Sequence, residues 1–173
     1  GLINTRFISI LFYAGHYGEA LAQARQVFER DSTFVGVRHE LARAYVTLGR
    51  CPEALAALQN SVEQPMGLLQ GVRGYTYAKC GRRAQARAEL NNLLSRAKRG
   101  ESISHYALAV IDAGLGDNDT AIAELQTTDT EHVGLFMVNR EPAFASLHSD
   151  PRFIALVRKA GLTMLAKTAH EPI

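Results

Sequence analysis

Four glycines recur along this chain with nearly constant spacing. The segment Tyr13-Ala-Gly-His-Tyr-Gly-Glu-Ala-Leu21 returns as Thr47-Leu-Gly-Arg-Cys-Pro-Glu-Ala-Leu55, then as Lys79-Cys-Gly-Arg-Arg-Ala-Gln-Ala-Arg87, and again as Gly114-Leu-Gly-Asp-Asn-Asp-Thr-Ala-Ile122. Gly15, Gly49, Gly81 and Gly116 stand 34, 32 and 35 residues apart, and each precedes by five positions an alanine: Ala20, Ala54, Ala86, Ala121. A period of this size marks stacked supersecondary units.

The flanks of each glycine say what a unit is. Leu41, Ala42, Tyr45 and Leu48 before Gly49, and Ala54, Leu55, Leu58 and Val62 after it, fall at helical spacing. Gly at a helix end accepts positive φ without a Cβ penalty. The alanines are small because two antiparallel helices must approach closely there. Each unit is therefore a helix–turn–helix hairpin, and stacking is what buries both of its apolar faces. The expected fold is an all-α, right-handed α-solenoid with hairpins at 1–34, 35–66, 67–100 and 101–135, closed by capping helices and a tail over 136–173.

The runs Leu41-Ala42…Tyr45…Gly49…Glu53-Ala54 and Gly74…Tyr77…Gly81…Ala86 resemble tetratricopeptide repeats (TPRs). Asp112 stands where that family prefers a large aromatic, and Ser32 and Lys98 stand where unit-closing prolines are common. The C-terminal third adds a narrower likeness. Ser104-His-Tyr-Ala-Leu-Ala-Val-Ile-Asp-Ala-Gly-Leu-Gly116, Glu141-Pro-Ala-Phe144-Ala-Ser-Leu147 and Asp150-Pro-Arg-Phe-Ile-Ala-Leu-Val157…Gly161-Leu162 are similar to the end of TPR arrays in bacterial winged-helix regulators, adenylate cyclases and Ser/Thr kinases. Asp is a good N-cap and Pro suits the first helical position, so these elements read as short capping helices. The opening Gly1-Leu2-Ile3-Asn4-Thr5-Arg6 has neither Met nor a signal-like pattern, which suggests a piece of a longer protein. The resemblance implies a non-catalytic interaction or scaffolding module at the C-terminal end of such a regulator.

Chemistry-bearing motifs are missing. There is no P-loop, HExxH, GxSxG or strand-borne GxGxxG, and the six histidines sit at no metal-ligand spacing, so neither enzyme activity, metal nor cofactor is expected. No apolar run approaches the roughly 18–20 residues of a membrane span, so no membrane partner is expected. Two cysteines form no disulfide framework, and a reducing, cytoplasmic setting is the default. Cys51 and Cys80 fall near turns of successive units and can be neighbours. The expectation is two unpaired thiols, since a bridge requires Cα atoms within about 7 Å.

Binding is expected on the concave face, which the first helix of each hairpin lines. Projection puts Phe12, Tyr13, His39, Arg43, Tyr75, Lys79 and Tyr106 there, a mixture suited to a partner peptide of acidic character. The positions matching the family's carboxylate clamp are Thr5, Ser9, Arg43 and Tyr75, which do not reproduce it.

The net charge of +2 hides strong segregation: +7 over residues 67–100 and −8 over residues 101–150. The first reading is mutual neutralisation across the stack, and the second is charge-guided homodimerisation. A third is a nucleic-acid contact through Arg82, Arg83, Arg96, Lys98 and Arg99, which the adjacent acidic block disfavours. A small-ligand sensor is the remaining alternative and requires a closed pocket. Leu2, Ile3, Phe7, Ile10 and Leu11 make the first helix very apolar, a further candidate dimer surface.

Overall fold

In the computed structural model, residues 2–59, 65–127 and 135–162 are described. They form α1 (Leu2–Tyr13), α2 (Tyr17–Arg30), α3 (Val35–Thr47), α4 (Cys51–Ala57), α5 (Leu68–Lys79), α6 (Arg83–Lys98), α7 (His105–Leu115), α8 (Asn118–Thr127), α9 (Leu135–Arg140) and α10 (Pro151–Lys159), with 3₁₀ turns at Pro65–Gly67 and Pro142–Leu147. No strand occurs among the described residues. The architecture is an all-α, TPR-like helical solenoid.

The repeat glycines end the first helix of each pair. Gly15, Gly49, Gly81 and Gly116 all have positive φ, between 73° and 88°, so the chain reverses with a backbone that a Cβ would strain. The four repeat alanines are fully buried. Each begins the second helix at the point where it lies against the first. α1 packs on α2, α3 on α4, α5 on α6 and α7 on α8; α1, α3, α5 and α7 then follow one another along the stack.

The C-terminal elements are set by their caps. The Glu141 carboxylate accepts from Ala143 N at 3.4 Å, and Asp150 accepts from Arg152 N at 2.8 Å, each followed by Pro at the first helical position. Phe144, Leu147, Phe153 and Val157 are completely buried against Val110, Ile122 and Leu125 of α7 and α8. This much is a cap on the last hairpin. The same segment also does something the repeat pattern does not signal: it turns back to the first helix. Met137 packs with the N-terminal core, and Arg140 Nη1 donates to the carbonyl oxygen of Tyr13 at 3.2 Å.

The expectation of two free thiols is overturned. Cys51, the first residue of α4, and Cys80, just past α5, are joined in a disulfide with Cα atoms 5.6 Å apart. Both lie beside repeat glycines of successive units, so stacking the units is what brings them within bridging range. Residues 163–173, which include most of the expected tail, lie outside the described residues.

Candidate functional site

Side chains from five segments meet in one concavity. α1 contributes Ser9, Phe12 and Tyr13; α3 contributes His39, Glu40, Arg43, Val46 and Thr47. α5 contributes Leu68, Gly71, Val72 and Tyr75; α7 contributes Tyr106, Ala107 and Val110. Met137 and Glu141 from the returning C-terminal segment complete the wall. The helical period explains the selection, since residues three to four apart share a face.

Arg43 is the centre of the polar part. Its Nη2 donates to Glu141 Oε2 at 2.8 Å and to the Tyr13 hydroxyl at 2.7 Å, while Nη1 stands 3.5 Å from Glu40 Oε2. Its Cζ lies 4.1 Å from the Phe12 ring centroid and 4.8 Å from that of Tyr13, so the guanidinium is also stacked on aromatic faces. Glu141 Oε2 receives two further hydroxyl protons, from Tyr106 at 2.6 Å and Tyr13 at 3.4 Å. Arg43, Glu40 and Glu141 are each no more than 8% exposed. Such an ion pair is sustained only when its remaining hydrogen-bonding groups are met, and here the tyrosines and Ser9 meet most of them.

Burial and charge set the protonation states. Burial pushes the Tyr13 hydroxyl up to about 12, with Glu141 adding to the rise and Arg43 opposing it. Tyr75 and Tyr106 are raised in the same way, by burial first and by Glu141 second. All three remain hydrogen-bond donors at neutral pH. His39 is pushed down to about 3, by burial and then by the Arg43 charge, so it is a neutral ring at neutral pH. Burial works against the Arg43 charge, but Glu141, Tyr13 and Glu40 hold its proton well above the usual arginine range.

Of the residues projected onto the concave face, Phe12, Tyr13, His39, Arg43, Tyr75 and Tyr106 share this wall, whereas Lys79 is exposed at the end of α5 outside it. Glu40 and Glu141 are functional candidates that the projection does not contain. Glu40 lies one position beyond His39, at the edge of the face. Glu141 is 98 residues from Arg43, and only its capping motif marks it. The basic residues of the third unit do not form one free stripe. Arg83 Nη2 donates to the Leu115 carbonyl at 2.8 Å, and Arg96 and Arg99 both reach Glu101, at 2.7 and 3.1 Å. Arg82 and Lys98 are exposed.

Among the described residues, no group of three or more His, Cys, Asp and Glu side chains is placed to hold a metal ion, and no helix is long and apolar enough to cross a membrane. Searches of curated proteins and of solved structures give no match to this chain. Tetratricopeptide repeats generally mediate protein–protein interaction or scaffolding and are typically non-catalytic. Residues 11–65, which span α2, α3 and α4 and carry Phe12, Tyr13, Glu40 and Arg43 of the polar cluster, match the tetratricopeptide repeat family model.

Proposed function

We propose that this chain is an interaction module of a larger bacterial regulatory or signalling protein, and that its concavity receives a segment of a partner protein. One observation carries the reading: the concave face already holds a piece of polypeptide. Met137 and Glu141 enter it from outside the repeat stack, and Glu141 is gripped by Arg43, Tyr13 and Tyr106. A surface that organises a backbone segment and its side chain in this way has the shape and donors to take another. The engagement of Arg83, Arg96 and Arg99 with the chain's own oxygen atoms favours the concavity over a phosphate-binding face.

The test is selection of peptides from a randomised library on the purified chain, followed by binding to Leu68→Arg. Leu68 lines the concavity yet is 38% exposed, so the arginine blocks the mouth without entering the core. Loss of binding by tenfold or more supports the reading, and unchanged binding removes it.

Self-association is a second reading, favoured by one observation. Phe7 and Ile10 on α1 are 49% and 65% exposed, one helical turn apart. A salt-insensitive dimer in sedimentation equilibrium, lost in Ile10→Lys, supports it; a monomer in the parent chain excludes it.

A further inference from the structure

We infer that the Cys51–Cys80 disulfide is a redox lock on the concavity, and that a dithiol reductant weakens partner binding by opening it. This rests on reading the concavity as a protein-interaction site.

The bridge ties together two helices that line the concavity. α3 ends at Thr47, and Cys51 follows directly on the turn Leu48–Arg50; α5 ends at Lys79, and Cys80 is the next residue. Val46 and Thr47 of α3 and Leu68, Val72 and Tyr75 of α5 are lining residues. Cys80 itself packs against the core cluster that contains Val46, Tyr75 and Val110, three residues of that lining. The bridge therefore fixes the spacing of α3 and α5 where both helices end.

Other seams along the stack are held in other ways. Ser9 to Glu40 and Tyr13 to Arg43 tie α1 to α3, and α5 meets α7 closely at Gly71 and Ala107. Among the described residues no hydrogen bond or ion pair joins α3 to α5; Ala42, Leu69 and Val72 meet there in an apolar cluster. Apolar contact is non-directional, so the covalent tie is what sets the spacing.

The tie is also within reach of a reductant. Both cysteines are half-buried rather than enclosed. A thiolate of the dithiol attacks one sulfur of the bridge, the Sγ–Sγ bond breaks, and the released sulfur takes up a proton. The second thiol of the reductant then displaces the remaining cysteine, which is protonated in turn. The chain gains two hydrogens, and the dithiol loses two as it closes its own disulfide.

A site whose walls are ordered before the partner arrives binds more tightly than one ordered by binding. With the bridge open, α3 and α5 can splay, and ordering them opposes association. Linkage makes the effect reciprocal: the factor by which the bridge raises partner affinity is the factor by which the partner protects the bridge.

The experiment uses a fluorescein-labelled peptide selected from the randomised library on the oxidised chain. Its binding is read by anisotropy in reduced and in oxidised dithiothreitol. Reduction, verified by the mass gain of two hydrogens, should weaken binding about tenfold, and reoxidation should restore it. The helical circular dichroism of the reduced chain should persist. Cys51→Ala combined with Cys80→Ala should bind at the weaker level under both conditions. Saturating peptide should raise, by about the same tenfold, the ratio of reduced to oxidised dithiothreitol at which half of the bridge is open.

Equal affinity of the two forms, or a reduction midpoint unmoved by peptide, overturns the inference. Loss of the helical signal on reduction overturns it too, and makes the bridge a structural staple only. The concavity reading stands in each case if Leu68→Arg abolishes binding to the oxidised chain. Binding indifferent to Leu68→Arg overturns both.

Discussion

Between α5 and α7 the helices approach until side chains have almost no room. A Cβ on Gly71 would lie 3.0 Å from the backbone of Ala107, one on Gly74 would lie 2.7 Å from Ile111, and one on Gly114 would lie 2.8 Å from the Tyr75 ring. Between α1 and α3 the contact is made instead by Ser9 to Glu40 and by Tyr13 and Phe12 to Arg43, long polar and aromatic groups. Both seams join the first helices of successive hairpins. Where the facing residues are glycine and alanine, the backbones themselves close together; where they are large and polar, side chains make the contact. The repeat sets the stack, and the choice of residue at each seam decides how closely the helices that line the concavity approach.

The two regions also bury carboxylates differently. Glu40 and Glu141 sit around Arg43, whereas the charged neighbours of buried Asp112 on α7 are Asp117 and Glu124. Burial, then those two carboxylates, raises the Asp112 carboxyl to about 7. The folded state therefore holds a proton that the unfolded chain releases near pH 4. Stability falls as pH rises from about 4 to about 7 and is flat above, a loss on the order of 4 kcal/mol. In Asp112→Asn this slope should vanish, and at pH 8 the variant should denature at higher urea than the parent. An unchanged slope means that the carboxyl is solvated and the dense seam is looser than described.

The disulfide sits where the two regions meet, between the start of α4 and the end of α5. Its cysteines are 29 residues apart, and closing a loop of that length stabilises the fold by about 3.6 kcal/mol on a chain-entropy account. The purified chain should weigh two hydrogens less than its reduced form. Cys51→Ser should lower stability by about that amount. Hydrogen exchange should rise more in α1–α4 than in α5–α8, since each repeat is held mainly by its neighbours. A uniform rise would show that the halves unfold as one unit and that the seam contrast has no energetic counterpart.

Removing Glu141 tests the polar seam itself. Glu141→Ala leaves Arg43 with Glu40, at 3.5 Å, as its one remaining carboxylate and deprives Tyr106 of the Glu141 acceptor. Breaking a buried pair of this kind costs about 3 kcal/mol. Calorimetry should show the loss, and Glu141→Gln, which keeps the acceptor and removes the charge, should recover part of it. If both variants match the parent, the C-terminal segment does not hold the first helix.

What the sequence reveals follows the range of the interaction. The turn glycines and repeat alanines act within one hairpin, so their spacing declares them. His39, Arg43 and Tyr75 fall on the concave side because one helical period places them there. Glu141 meets Tyr13 across 128 residues, and no local pattern encodes such a return. The Cys51–Cys80 bridge depends on how two units stack, a distance that neither unit contains. Gly71, Gly74 and Gly114 read in sequence as weak points of helices, and only the neighbouring helix shows what their missing side chains are for.

That last point gives the smallest and most discriminating prediction. Glycine inside a helix is less favourable than alanine by about 1 kcal/mol, so Gly→Ala stabilises wherever the methyl group meets nothing. Gly18 on α2 has no heavy atom within 4 Å of such a methyl, and Gly18→Ala should stabilise by about 0.5 kcal/mol. At Gly71 the methyl meets the Cα and carbonyl oxygen of Ala107, backbone atoms that cannot rotate away. Overpacking of this kind costs about 1–3 kcal/mol, which outweighs the gain in helix propensity. Gly71→Ala should therefore destabilise by about 1 kcal/mol, opposite in sign to Gly18→Ala in the same urea titration. Equal signs would mean that α5 and α7 can move apart to admit a methyl group, and the dense seam would then differ from the open one in degree rather than in kind.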